Sequence, residues 1–213
     1  MSQAIRTRAA GRDAQSPAPA FVHLRCRSAY SLLEGALPVA RLAKLATADA
    51  MPALALTDTS NLFGALEFSE KLASVGIQPI IGCTLQIDFE ERVEGPLADI
   101  KGQGEPVAKL AGGVVLLAKD ATGYANLMRL SSATYLSPRD NEPPHIKLST
   151  LAGLAEGLIV LTGGPDGPID RALRDGQHEK ARERLKALHD IAGDRLYVEL
   201  QRHGLPDERR VEA

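Results

Sequence analysis

An α/β fold with parallel strand pairs is predicted by three features of the sequence. A short apolar run at 53–56 is followed by an amphipathic helical stretch and a second, β-branched run at 77–87, which together form a βαβ unit. Apolar strand and amphipathic helix alternate again further on, at 114–118 before 121–136 and at 158–161 before 177–192. Composition agrees: 213 residues, 44% hydrophobic and 24% charged, are enough to bury the core of one domain.

Taken in order, residues 1–20 hold Arg6, Arg8 and Arg12, the acid Asp13, and several Ala, Ser and Pro, and read as a disordered tail. The fold starts near Phe21. Residues 21–27 alternate as a strand does, with His23, Arg25 and Arg27 on one face and Val22, Leu24 and Cys26 on the other. A loop over 28–35 leads to Pro38, which suits the first turn of a helix whose buried stripe is Val39, Leu42, Ala43 and Ala46. After the strand at 53–56 comes a polar turn at 57–61. The next helix carries the stripe Leu62, Ala65, Leu66, Ser69, Leu72 and Ala73 and stops at Gly76. Residues 20–84 thus read β, α, β, α, β, for which a parallel sheet is the natural solution.

Between 90 and 112 the pattern fails. Gly95-Pro96, Gly102-Gln103-Gly104 and Glu105-Pro106 interrupt scattered charges and predict a mobile insertion. The helix over 121–136 presents Tyr124, Leu127, Ser131 and Thr134 on one face, and 137–144 is a polar linker. The strand at 158–161 runs into a Gly-rich turn at 162–168. That turn lacks the Gly-Lys-Ser/Thr ending of a phosphate-binding P-loop and reads as a tight βα connection. In the helix over 177–192, Ala181, Leu185, Leu188 and Ala192 form the buried stripe, and the charged opposite face reads as solvated surface. A last strand covers 195–200 with too little chain after it to bury it, so an open sheet edge or apolar patch is expected there, covered by a neighbouring molecule or by dimerisation. Pro206-Asp207-Glu208 opens a further helix.

Several function classes are excluded or disfavoured. A net charge of −2 and 4% aromatic residues give no field or stacking platform for nucleic acid. No apolar run approaches the roughly 18 residues of a membrane span. Cys26 and Cys83 have no paired spacing and read as free thiols of a reducing cytosol, hence a cytoplasmic location. In βαβ units ligands sit at the carboxyl ends of the strands, so Asp58 stands where a catalytic or metal-binding carboxylate would be. Asp equally caps helices and shapes turns, and from spacing alone both readings stay open.

A resemblance sharpens this picture. The phrases FVHLRCRSAYSLLEGA (21–36), MPALALTDTSNLFGALEF (51–68), GIQPIIGC (76–83), LLAKDATGYANLMRLSS (116–132), LTGGPDGP (161–168) and YVELQRHGLP (197–206) occur in family order. In them the chain resembles the amino-terminal polymerase-and-histidinol-phosphatase (PHP) domain of the DNA polymerase III alpha-subunit family, the bacterial replicative C-family polymerases.

The resemblance implies a distorted (β/α)7 barrel of PHP type over 21–213, incomplete at its C-terminal end, in a fragment of a larger chain. The polymerase active site, with its magnesium, would lie beyond Ala213, and DNA would be held by the rest of the parent chain. The implied partners are the proofreading exonuclease subunit and the other polymerase III holoenzyme subunits. Active members of the family bind divalent zinc, manganese or iron at the barrel mouth through His-x-His, Asp-His, Glu and further His residues, and generate a hydroxide for phosphoester hydrolysis.

Residue by residue the ligand pattern is degraded here. Arg25 and Arg27 occupy the His-x-His positions, Glu34 replaces an Asp, and Asp58 survives with Thr59 in place of its His partner. Thr84 stands for a Glu and Gly113 for a His, while His203 survives with Glu199 nearby. Reading His23 and Arg25 as the pair still leaves an arginine in the cluster. Arginine has no lone pair to give a metal and stays protonated. No metal and no catalytic residue are therefore expected in the fragment, beyond a residual donor set of Asp58, Glu34 and His203. Arg25 or Arg27 is expected to pair instead with Asp58 or Glu34. The implied role is a non-catalytic scaffold of a DNA polymerase that docks the exonuclease. The alternative is an active PHP metallophosphoesterase or intrinsic 3′–5′ exonuclease, which would need the intact ligand set.

Overall fold

The computed structural model describes residues 21–91, 110–140, 142–202, 204 and 208–211. The expected tail at 1–20, the stretch 92–109 of the expected insertion, and His203 lie outside the described residues. The elements are α1 (Val39–Ala48), β1 (Ala53–Leu56), α2 (Ala65–Ser74), β2 (Gln78–Asp88), β3 (Gly112–Ala118), α3 (Ala121–Leu136), β4 (Ile146–Lys147), α4 (Leu148–Leu154), β5 (Leu158–Leu161), α5 (Pro168–Arg174), α6 (His178–Ala192), β6 (Leu196–Tyr197) and α7 (Glu208–Val211). They form a mixed α/β fold with strand order β1-β2-β3-β5-β6 and with β4 against the end of β2.

The predicted βαβ unit is present, with β1 parallel to β2 in the register Ala53↔Gln78 to Leu56↔Ile81. The α1 stripe is Val39, Leu42, Ala43 and Ala46 as expected, and it packs with Leu54, Leu56, Phe68 and Leu72. In α2 the buried residues are Ala65, Phe68 and Leu72, whereas Leu66 is exposed, so the true stripe is turned from the predicted one. Phe68 has the larger apolar surface, and burying it fixes the phase of the helix. Helix α3 has the predicted bounds. Its buried face runs through Gly123, Asn126, Leu127, Leu130 and Thr134, leaving Tyr124 exposed and Ser131 at the margin. Asp120 caps it by accepting from Gly123 N at 2.8 Å.

Strand β3 departs from a parallel sheet, running antiparallel to both β2 and β5. Its apolar run is continuous because both faces are covered. Val114 and Leu116 join the core under α3, α4 and α6, while Val115 and Leu117 meet Ala55 and Leu161 on the opposite face. Residues 21–27 are not a regular strand. Ala55 N donates to His23 O at 2.9 Å and Thr57 N to Cys26 O at 2.7 Å, so three steps on the first segment match two on β1. This bulge breaks the predicted alternation and leaves Leu24 exposed. The last strand is only Leu196–Tyr197, and Tyr197 with Val198 and Leu200 beyond the strand are open to solvent, an apolar patch at that edge.

A cavity of about 690 Å³ lies between the two ends of the sheet, bordered by Leu24, Arg25, Ile80, Leu117, Leu161 and Val198. The strand path therefore curls until its first and last segments face each other.

One charge of α6 is not solvated surface. Arg184 is buried and chelates Glu91 through Nε (2.5 Å) and Nη2 (3.0 Å). It also donates to Pro168 O at 2.9 Å and lies over the Phe89 ring. The hydrogen bond from Arg184 holds the Glu91 carboxyl below its ordinary value of 4.5, against the opposing effect of burial and with help from Lys180. A carboxylate lowered in the folded state contributes stability above about pH 4.5, lost as pH falls through the lowered value. The Glu91 side chain is 35% exposed, so solvent screening limits the contribution to about 1 kcal/mol. Glu91→Gln should melt lower than wild type at neutral pH and level with it in acid. Thermal melts of both proteins across that range check this.

Candidate functional site

The chain leaves β1 through Thr57, Asp58 and Thr59, and the loop 28–35 folds over this exit. Asp58 is buried at 1% exposure and accepts three hydrogen bonds: Ser28 N to Oδ1 at 2.7 Å, Ser31 Oγ to Oδ1 at 2.6 Å, and Ser28 Oγ to Oδ2 at 2.7 Å. Ser31 Oγ in turn accepts from Thr59 N at 3.0 Å. Both carboxylate oxygens thus serve the loop. Cys83 lies behind, its thiol directed at the Asp58 carbonyl at 3.3 Å and pushed up to about 12, first by burial. It is a protonated core residue.

Arg27 and Glu34 pair as expected, with Nε 3.2 Å from Oε2, and Thr59 Oγ1 donates to the same oxygen at 2.6 Å. The Arg27 contact is an ion pair that lacks hydrogen-bond geometry at Nε. Arg25 takes another course. Its Nη1 donates to Glu199 Oε1 and to Gly163 O, both at 2.9 Å, and its Nη2 lies 3.7 Å from the exposed Asp166. Among the described residues neither arginine pairs with Asp58, contrary to that branch of the expectation. The bulge between His23 and Cys26 gives Arg25 and Arg27 different partners, and the two serines already saturate Asp58.

The other predicted positions converge on this place. Thr59 bridges Thr84 in the sheet, and the Thr84 hydroxyl donates to Thr57 O at 3.0 Å. Gly113 lies beside Thr84, where an added Cβ would come within 3.1 Å of Thr84 Cγ2. Gly163 sits on the Gly113 carbonyl at φ +85°, and a Cβ there would lie 1.9 Å from that oxygen. Only glycine permits the approach that presents the Gly163 carbonyl to Arg25. Arg25, Thr59, Asp58, Thr84 and Gly113 are thus assembled at one mouth, with Arg27 and Glu34 on its rim.

Sequence reasoning missed Ser28, Ser31, Gly163 and Asp170. The Ser-x-x-Ser spacing before Leu32 was the available signal for the first two, since both hydroxyls fall within one turn closed by Ser31 N to Ser28 O. Asp170, in the first turn of α5, is buried, which raises its carboxyl. Arg174 opposes that rise and Glu199 adds to it. Glu199 Oε2 is buried without a hydrogen bond.

The sequence matches the PHP domain family over residues 23–203. The chain belongs to that family. This PHP domain is 44% identical over 192 residues to the DNA polymerase III subunit alpha of Caulobacter vibrioides, a match covering 90% of this chain and 16% of that protein. It is 39% identical over 196 residues to the subunit of the same name from Thermus aquaticus, covering 90% and 15%. It spans about one-sixth of the length of these relatives. An amidohydrolase structure from Chromobacterium violaceum with bound sulfate aligns with a TM-score of 0.42 at 15% identity, over 83% of this chain and 84% of that one.

The PHP family implies a metal centre, and the donor set here does not fit one. Two of its positions are guanidinium groups, which repel cations and have no lone pair. Asp58 already accepts three hydrogen bonds, Thr84 is committed to a carbonyl, and Gly113 has no side chain. Among the described residues no three His, Cys, Asp or Glu side chains are placed to hold a metal.

Proposed function

We propose that this PHP domain is a non-catalytic scaffold of a DNA polymerase III alpha-type replicative polymerase in the cytoplasm. It supports the polymerase portion and docks the proofreading exonuclease subunit, while magnesium and DNA are handled by the rest of the polymerase. The observation that carries the reading is Arg25. At a position where the family places a ligand histidine, a fixed cation joins Glu199 and the Gly163 carbonyl across the mouth. The polymerase enters through the likeness to the alpha subunits, whose name states one, and the exonuclease only through what the family resemblance implies.

A scaffold of this kind has no hydrolytic activity of its own. Purified protein given manganese, zinc or magnesium should leave p-nitrophenyl phosphate and single-stranded DNA intact. Hydrolysis that disappears in an Asp58→Ala control would refute the reading and support a metallophosphoesterase.

A further inference from the structure

We propose that the loop tip Leu32–Leu33, with Phe63 and Leu66 beside it, is the surface through which this domain packs against the remainder of the polymerase chain, an inference resting on the scaffold reading above. Leu32 is 82% exposed, Leu33 fully exposed, Phe63 73% and Leu66 72%. Leu33 also sits at φ +66°, in the left-handed region that residues with a Cβ rarely adopt. Single exposed leucines are ordinary, but four large apolar side chains on two joined segments form a patch of the kind that marks an interface.

The segments are joined through Tyr30, whose ring packs on Gly64 so closely that a Cβ there would lie 2.9 Å from Cδ2. Asn61 Nδ2 donates to Tyr30 O at 3.1 Å, and Asn61 Oδ1 accepts from Phe63 N at 3.1 Å. Nor is the tip loose. Ser28 and Ser31 hold it to Asp58, and Gly35 N returns to Ser31 O at 2.8 Å. Backbone strain that buried hydrogen bonds enforce at an exposed apolar tip is the pattern of a pre-organised contact.

The length of the relatives is the argument for this occupant. They carry about five-sixths of their length outside the matched part, so such a domain has a large body of its own chain to abut. Glu34 at the border is already paired with Arg27, and Glu67 accepts from the Tyr30 hydroxyl, so the patch has little free charge at its edge and favours an apolar segment of that body.

Amide hydrogen exchange on the full polymerase chain and on this 213-residue chain alone tests the assignment. Residues 32–35 and 63–66 should exchange about tenfold or more slowly in the full chain. Equal exchange in both would overturn the proposal. So would protection that grows with the concentration of the short chain, indicating a second copy, or protection that needs added exonuclease subunit. A Leu32→Ser/Leu33→Asn variant gives a second readout, because Asn tolerates the left-handed backbone. It should melt like wild type in the short chain and lower than wild type in the full chain; no loss in the full chain counts against the interface. Deleting residues 21–204 separates the two readings. A polymerase that melts unchanged without them removes the scaffold reading itself, whereas one that is destabilised, yet shows an unprotected loop in wild type, removes only the interface.

Discussion

Asp58→Ala is expected to lower the stability of the domain by about 3–5 kcal/mol, the cost of stranding buried partners of a charged group. The carboxylate is 1% exposed and accepts from one backbone N–H and two hydroxyls, so its removal leaves three donors without an acceptor. Water does not easily replace it, because Ser28 and Ser31 are themselves 0% and 2% exposed. For a chain of this length that loss corresponds to a melting temperature lower by about 6–20 °C. Asp58→Asn keeps the shape but turns an amide donor towards one of the existing donors, and should cost about 1–3 kcal/mol. Thermal melts of both variants check the order Ala below Asn below wild type. The loss should be the same with and without a chelator, since both Asp58 oxygens already serve the two serines.

Arg25→Met should cost about 2–3 kcal/mol, because it breaks one side of a part-buried ion pair while Gln201 still donates to Glu199. Arg25 and Glu199 side chains are 14% and 13% exposed, and Glu199 would keep its charge in a site where Oε2 already lacks a hydrogen bond. The contact to Asp166 adds little, since that carboxylate is 62% exposed. Removing both charges together is a different matter. Arg25→Met with Glu199→Leu replaces the pair by apolar groups beside an apolar cavity and should recover much of the loss. Denaturant titration of the two single variants and the double variant measures this coupling. Additive losses would show that the pair is incidental.

Much of this was legible in the sequence where local pattern and burial coincide. The strands β1 and β5 are short apolar runs, β2 is a longer β-branched one, and the α1 stripe follows the helical period because one face meets β1 and α2. What failed was information that local pattern does not hold. The run at 114–118 shows that a strand is buried on both faces but not that it pairs antiparallel. The alternation at 21–27 could not reveal a bulge, which arises only when that segment is laid against β1. Arg184 sits among six other charged residues of α6 and is singled out only by Glu91, far away in sequence. At the site, resemblance named the positions, and the structure brings Arg25, Asp58, Thr59, Thr84 and Gly113 to one mouth. Their partners were legible only in part. The Arg27–Glu34 pair was anticipated, whereas Asp58 with Ser28 and Ser31, and Arg25 with Glu199 and Gly163, depend on the loop and on the curl of the sheet.

The measurement that bears most directly on a domain closed by arginine rather than by metal is the metal content of the purified, tag-free protein, read together with its melting temperature before and after chelation. Arginine closure predicts far less than one zinc, manganese or iron per chain, and a melting temperature unmoved by chelator or by added metal. One or more tightly held ions per chain, with a fall in melting temperature when they are removed, would contradict it.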